Sequence, residues 1–485
     1  MKTLVLNPSS KFAKNVVRDV LYGCWCKGRR IGGGTVPPHA LLSVASYLRR
    51  AGVETDFIDA VNEFKKPSDI GSVIGDYGFL VASTSSMSFK EDADFFNYLK
   101  GRNPRLRTIV FGSHPTFLPD DTLRNEGVDI IIKGEPEYAA AKIITGILKR
   151  DEGWKGLKGV GFKHNKNMIK VNAGNEFLDN LDDLPFVDSA FLSKRLGYFN
   201  PIVKRMPYMT MVTSRGCPGK CIFCTAPFFY GTRIRLQSPG RVIDEIKYLI
   251  GNGFKEIYFR DETFTADYKR TADICERLIS DRTDVSWICN ARSGTIDEPL
   301  AKIMKRAGCH TVKIGVESGV QAILDKANKG ITVEKTRDTI EYLKSAGINV
   351  HAHVMLGMPG ENAGTIKRTI EFVRNLDPYT ASFGICTPYP GTPLFNIVKK
   401  EMSERGMGPC PSNELDLQHL HSSAFYNEIF TELSSEELEK AVKTAYRRFY
   451  VRPASLKKYL KDIFSIGKNV KAGIKVIDFM IRGDE

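Results

Sequence analysis

The sequence predicts an α/β protein: a doubly wound domain over residues 1–150, a linker over 151–205, a partial (β/α)6 barrel over 206–395 and a helical, basic C-terminal domain over 396–485. Three observations carry this prediction. Short β-branched runs alternate with helix-period stretches through the first 150 residues, the pattern of a parallel sheet covered on both faces. The alternation lapses, restarts near Pro207 and completes six strand–helix intervals before Pro393. Beyond Pro393 no strand candidates remain. At 485 residues and 42% hydrophobic content, the chain can supply about three domains with a core each.

In the first series the strand candidates are Thr3–Leu6, Thr55–Ile58, Phe79–Ala82, Thr108–Phe111 and Asp129–Ile132. Between the first two, Leu41, Leu42, Ala45 and Leu48 share one helical face and Gly52 marks its end. Ligands of such folds gather at the carboxyl ends of the strands. There the sequence places small polar turns: Ser83-Thr84-Ser85-Ser86, Gly112-Ser113-His114-Pro115-Thr116 and Gly134-Glu135-Pro136. The linker holds one more strand candidate, Gly159–Phe162, and the turn Asp182–Pro185, and it reads as a hinge. The second series comprises Tyr208–Thr213, Glu256–Phe259, Val285–Ile288, Thr311–Val316, Val350–Met355 and Ala381–Ile385. A barrel of this kind carries its chemistry on the loops that follow its strands.

Charged residues at 26% with ordinary Gly and Pro content exclude a disordered or collagen-like chain. No apolar run approaches the roughly 18 residues of a membrane span, and the start lacks the apolar stretch of a secretory leader. A cytoplasmic location with reduced thiols is therefore expected, so the ten cysteines point to metal or redox chemistry rather than disulfides. The net charge is +14, and the segment from Lys440 onward holds twelve Lys or Arg against four Asp or Glu. Charge concentrated in a tail suits an acidic surface better than a nucleic-acid groove, and no nucleic-acid partner is expected. Between Pro453 and Arg482 apolar residues recur at helical spacing among the lysines. That pattern fits a helix resting on the inner face of an anionic membrane, and equally a helix packed on a core.

Directly after the first barrel strand comes Ser214-Arg215-Gly216-Cys217-Pro218-Gly219-Lys220-Cys221-Ile222-Phe223-Cys224. Three cysteines at C-x3-C-x2-C spacing on a Gly- and Pro-containing loop can hold three corners of a [4Fe-4S] cluster, leaving one iron open. A zinc site would need a fourth ligand, and the nearest thiols, Cys275 and Cys289, fall in a predicted helix and a predicted strand.

Cys217, Cys221, Phe223 and Cys224 match the C-x3-C-x-Phe-C signature of the radical S-adenosylmethionine (SAM) superfamily, which the chain resembles through the barrel. With its leading α/β domain it resembles the cobalamin-binding (B12-binding) class, which includes anaerobic magnesium-protoporphyrin monomethyl ester cyclase, hopanoid-modifying enzymes and C-methyltransferases. The resemblance implies a Rossmann-like cobalamin-binding first domain and a cluster-bound SAM cleaved to a 5′-deoxyadenosyl radical. That radical takes hydrogen from an unactivated carbon, which is then methylated from methylcobalamin. The triad cysteines are the catalytic and metal-ligating residues, with Phe223 beside them.

Further residues implied to hold SAM are Asp261 and Glu262 after the second strand, Arg292 after the third, Glu317 and Ser318 after the fourth, and Gly357 and Pro359 after the fifth. Pro38, Ser83, Thr84, Ser85, Gly112, His114, Gly134 and Glu135 are the implied cobalamin contacts. Neither His39 nor His114 stands in an Asp-x-His-x-x-Gly motif, and His114 reads as a hydrogen-bonding loop residue rather than a cobalt ligand. Cys24 and Cys26, in the stretch Gly23–Gly34, read as loop thiols. A small-molecule substrate, apolar or lipid in character, and an external low-potential electron donor are the expected partners. The alternatives are a radical oxidative cyclase acting on a lipid or tetrapyrrole, a methylthiotransferase, and a corrinoid-binding sensor or carrier without turnover.

Overall fold

The computed structural model describes residues 1–10, 18, 34–165, 168–192, 197–200, 202–406 and 425–452. Gly23–Gly33, with Cys24 and Cys26, and the basic segment from Pro453 lie outside the described residues.

Five parallel strands open the chain: β1 (Lys2–Asn7), β2 (Thr55–Asp59), β3 (Tyr77–Thr84), β4 (Arg107–Gly112) and β5 (Ile130–Ile132). Their order, β2-β1-β3-β4-β5, reverses direction at β1, so the crevice between β1 and β3 is the topological switch point. Alternate residues serve the two faces. Val5, Phe79 and Val81 join Leu41, Ala45 and Leu48 of the helix His39–Arg50, while Leu4, Leu6, Leu80 and Val110 pack on Phe95, Phe96 and Leu99 of the helix Phe89–Arg102.

The expected linker is corrected in part. β6 (Val160–Asn165) and β7 (Met168–Val171) run antiparallel along the β5 edge, making a seven-stranded sheet. The physical reason is the edge itself: β5 is only three residues long and its outer backbone groups are satisfied by β6.

The second sheet is wholly parallel, in the order β15-β14-β13-β12-β11-β8. Its strands are β8 (Tyr208–Met211), β11 (Glu256–Phe259), β12 (Ser286–Ala291), β13 (Cys309–Glu317), β14 (Asn349–Leu356) and β15 (Thr380–Ile385). A short antiparallel ribbon, β9 (Ser214–Arg215) and β10 (Arg235–Leu236), leads away from β8. β8 is shorter than expected because Asp261 captures both the amide and the hydroxyl of Thr213 at 2.6 Å, turning the chain out of the sheet. Helices cover the outer face, and several start on side-chain caps: Ser238 to the amide of Arg241, Asp267 to Arg270, Asp297 to Leu300 and Asn362 to Thr365.

Sequentially adjacent strands are neighbours in space, and β8 and β15 stay unpaired with each other, so the barrel is open. The helix Ser435–Tyr450 lies along β15, with Tyr450 donating to the carbonyl of Ala381 at 2.6 Å. One apolar core runs from the first sheet through Val187, Phe191 and Leu192 into the barrel's helix-facing side at Met209, Ile257 and Trp287. No helix among the described residues is long and apolar enough to cross a membrane.

Candidate active site

The cysteine loop is pinned at several points. The amide of Cys217 donates to Gly231 O at 3.1 Å, that of Cys224 to Cys221 O at 3.2 Å, and that of Ile222 to Ala327 O at 3.1 Å. Gly219 lies between two of the sulfurs: a Cβ there would sit 3.3 Å from Cys217 Sγ and 3.8 Å from Cys221 Sγ. Such a cradle suits a bulky inorganic group better than a side chain. Among the described residues no three His, Cys, Asp or Glu side chains converge on a single-ion site. Burial pushes the Cys224 thiol up to about 12 and raises Cys217 as well, so cluster insertion must release protons.

Cationic groups stand beside these thiols. Arg292 Nη1 is 3.9 Å from Cys221 Sγ, and its Nη2 donates to the carbonyl of Lys329. The Lys329 ammonium is 2.7 Å from Glu317 and 5.9 Å from the centre of the Phe223 ring. Gly315 makes room for this ion pair, because a Cβ there would lie 2.5 Å from Glu317 Oε1 and 2.8 Å from Lys329 Nζ. Lys329 belongs to no motif and was not an expected site residue.

The remaining SAM expectations divide. Glu262 faces the cysteine loop, its charge acting on the Cys217 thiol. Asp261, just beyond β11, does not: it is fully buried and both its carboxylate oxygens are committed to Thr213. Ser318 is likewise committed, sharing a 3.0 Å hydrogen bond with Thr369 and accepting from the amide of Val320. The Gly357 carbonyl accepts from Asn427 at 2.7 Å, so the C-terminal segment takes that backbone group. Pro359 lies half-buried on the same loop. Two buried polar atoms at this edge of the barrel, Ser293 Oγ and Glu361 Oε1, have no hydrogen-bond partner among the described residues. They are openings for a polar ligand, and with the cysteine cradle they fit a cluster carrying SAM.

Deeper in the barrel the inner face is polar. Lys313 of β13 donates to the hydroxyl of Tyr258 at 2.9 Å. On β14, His351 and His353 are half-buried and bonded to Thr380 at 2.7 Å and Ser382 at 2.9 Å. Burial, with the Lys313 charge adding to it, lowers His351 to about 3 and His353 well below the usual range, so both imidazoles are neutral. Sequence reasoning placed this strand without marking its histidines.

In the first domain, several expected cobalamin contacts are committed to the chain. Thr84 donates to Asp92 at 2.7 Å, and Asp92 also takes the buried Arg18 at 2.6 Å, which fills the switch point beside Asn7 and Pro8. Ser85 Oγ lies 3.3 Å from Ser88 Oγ, and Ser83 is buried. Thr116 bonds Gly112 O at 2.7 Å and the Gly134 amide at 3.0 Å, tying the ends of β4 and β5. His114 has both nitrogens engaged, with Asp121 at 3.0 Å and Ser86 at 3.4 Å, and stacks on Phe89. Burial keeps it neutral despite Asp121. Glu135 is corrected: its carboxylate is buried against Arg235 and the amide of Leu178, not turned to a ligand. Pro38 starts the helix His39–Arg50, in a strap bonded to β8 through Thr210 and the carbonyl of Pro37 at 3.1 Å. With both ring nitrogens engaged inside the domain, His114 is not offered as a cobalt ligand.

Comparison with known proteins agrees with this geometry. The radical SAM superfamily model matches residues 211–373, and the B12 binding domain model matches residues 32–144. An uncharacterized methyltransferase from Pyrococcus horikoshii is 32% identical over 90% of this chain and 92% of its own length. The anaerobic magnesium-protoporphyrin IX monomethyl ester cyclase of Rubrivivax gelatinosus is 28% identical over 75% of this chain and 66% of the relative. The methyltransferase TsrM of Kitasatospora setae, solved with cobalamin and a [4Fe-4S] cluster, superposes with a TM-score of 0.72 at 14% identity, covering 100% of this chain and 99% of that one. OxsB, a cobalamin-dependent SAM radical enzyme, also gives 0.72, at 16% identity over 99% of this chain and 70% of that chain. The chain thus belongs to the radical SAM superfamily, among the members with a B12-binding domain ahead of the barrel, and its cofactors are a [4Fe-4S] cluster, SAM and cobalamin.

Proposed function

We propose that the enzyme methylates a carbon of a small-molecule substrate in the space between its two cofactor domains. One observation carries this reading: the carboxyl edge of the first sheet faces the cysteine loop. Phe117, just beyond β4, packs edge-on against Phe229 at 6.4 Å between ring centres, and Phe229 lies five residues past Cys224. Phe117 also closes on Gly391, where a Cβ would stand 2.2 Å from its ring. When bound, the cluster and SAM supply a carbon-centred radical and cobalamin supplies a transferable methyl group.

The chain's own residues then have separable tasks. Cys217, Cys221 and Cys224 would hold three irons of the cluster. Arg292 and Lys329 place positive charge beside Cys221, favouring the electron delivered by an external low-potential donor. Ser293, Glu361 and Glu262 offer polar groups to SAM. Phe117 and Phe229 bring apolar rings to the gap between the domains.

The test needs no substrate. Protein reconstituted anaerobically with iron, sulfide and cobalamin is incubated with SAM and a reductant, and nucleoside products are separated. A methyltransferase forms both 5′-deoxyadenosine and S-adenosylhomocysteine. 5′-Deoxyadenosine alone supports the cyclase-type reading, and neither product refutes the enzyme assignment.

A further inference from the structure

The ribbon that leads into the cysteine loop places two arginines side by side. Arg215 of β9 and Arg235 of β10 are direct cross-strand partners, and their side chains are 5% and 4% exposed. Like charges so placed repel, and a buried pair must be neutralised by something nearby. The neutralising groups come from the other domain. Glu135 and Glu137 flank Pro136 at the carboxyl end of β5, with side chains 2% and 1% exposed.

Arg215 Nη2 meets Glu137 Oε1 at 2.6 Å, and its Nη1 lies 3.2 Å from Glu135 Oε2. Arg235 grips Glu135 with both terminal nitrogens, Nη1 at 3.0 Å from Oε2. Ser43 adds a 2.8 Å bond to Glu137, and the Leu178 amide a 3.1 Å bond to Glu135. Burial alone would push Glu137 up, but the Arg215 guanidinium overrides it and holds the carboxyl below its ordinary value. Two guanidinium groups thus face two carboxyl groups, a balanced set.

Holding the domains together does not require this quartet, because one apolar core already runs between them. Apolar contacts let surfaces slide, whereas two-pronged guanidinium–carboxylate pairs fix both distance and plane. The fixed point is close to the chemistry on both sides. Arg215 is followed by Gly216, whose φ is 99° and where a Cβ would stand 2.2 Å from the Arg233 carbonyl oxygen, and then by cluster ligand Cys217. Glu135 and Glu137 follow Gly134, which Thr116 ties to the end of β4.

We propose that Arg215, Arg235, Glu135 and Glu137 are positioning residues that set the cysteine loop in register with the corrinoid domain, so that radical formation and methyl delivery act on the same carbon. This rests on the methyl-transfer reading above.

The test variant is the pair Arg215→Gln with Glu137→Gln, which removes one charge of each sign and leaves neither stranded. In cofactor-free protein, hydrogen exchange at residues 134–137 and 214–217 is expected to rise by about tenfold while the cores of both sheets stay protected. In reconstituted protein, iron content and 5′-deoxyadenosine formation persist, and S-adenosylhomocysteine per 5′-deoxyadenosine falls by about tenfold or more, the scale of an ångström-level misplacement. Arg235→Lys keeps the charge and loses the two-pronged geometry, so it gives an intermediate ratio, and it decides the matter if the pair variant does not fold. Unchanged exchange in both segments overturns the proposal, as does an equal fall in both products. If the wild-type enzyme forms no S-adenosylhomocysteine, the methyl-transfer reading fails while the exchange measurement still decides the domain register.

Discussion

Glu361 gives a stability prediction whose sign and size follow from its surroundings. The residue is fully buried on the loop after β14, with Oε2 accepting from the amide of Met358 at 3.0 Å and Oε1 without a partner among the described residues. Burial raises its carboxyl from 4.5 to about 7, against the opposing pull of the Met358 and Gly357 amides. Below 4.5 the group is protonated in both the folded and unfolded chain and contributes nothing to the pH dependence. Between 4.5 and about 7 the unfolded chain has lost the proton while the folded chain keeps it, so stability falls as pH rises. Above about 7 the loss is complete and amounts to about 3 kcal/mol, at 1.36 kcal/mol per pH unit. Glu361→Gln mimics the protonated form and does not titrate. Urea unfolding of cofactor-free wild-type and Glu361→Gln proteins, at several values from pH 5 to 8.5, should show the variant's relative stability climbing through this window and then levelling. Glu245, also raised by burial to about 7, titrates in both proteins and cancels in the difference. A difference that stays flat across the range would refute the buried carboxyl with one oxygen unpartnered.

Three further outcomes follow from the site. Cys221→Ala leaves two cysteines for the cluster; reconstituted protein should lose the cluster's visible absorption, and 5′-deoxyadenosine formation should drop to background. Glu317→Gln strands the buried Lys329 ammonium, now 2.7 Å from its carboxylate, and should cost about 3–5 kcal/mol in urea unfolding. Adding Lys329→Met should recover most of that loss. His114→Phe preserves the stack on Phe89 and removes both ring nitrogens; the cob(II)alamin EPR spectrum should be the same in variant and wild type, and nitrogen splitting present only in wild type would make His114 a cobalt ligand.

The strands were legible because parallel strands buried on both faces read as unbroken apolar runs, as in Ile130–Ile132 and Ile109–Phe111. β6 could be read as a strand but its pairing could not, and β7 was not read, since an antiparallel edge has a mixed pattern and is separated from β5 by the helix Glu137–Lys149. Nothing local in Gly159–Phe162 says which sheet it will join.

The cysteine triad could be read because cluster ligation imposes its spacing within a single loop. Side chains that meet through the fold obey no such local rule. Asp261 and Glu262 are chemically alike neighbours in the loop after β11, and only the path of that loop decides that one anchors Thr213 while the other puts its charge near Cys217. Lys329 reaches the cluster loop from a turn twelve residues beyond its partner Glu317. Arg215 and Glu137 are 78 residues apart, and Arg235 and Glu135 are 100 apart. Each of these four reads in isolation as a surface charge, and the adjacent arginines would repel if the ribbon stood alone. Their burial therefore requires both domains to be docked, which makes the ion quartet a consequence of the same arrangement that brings the first sheet's loops to the cysteines. Neutralising one pair should consequently disturb the relation between the domains before it disturbs either domain.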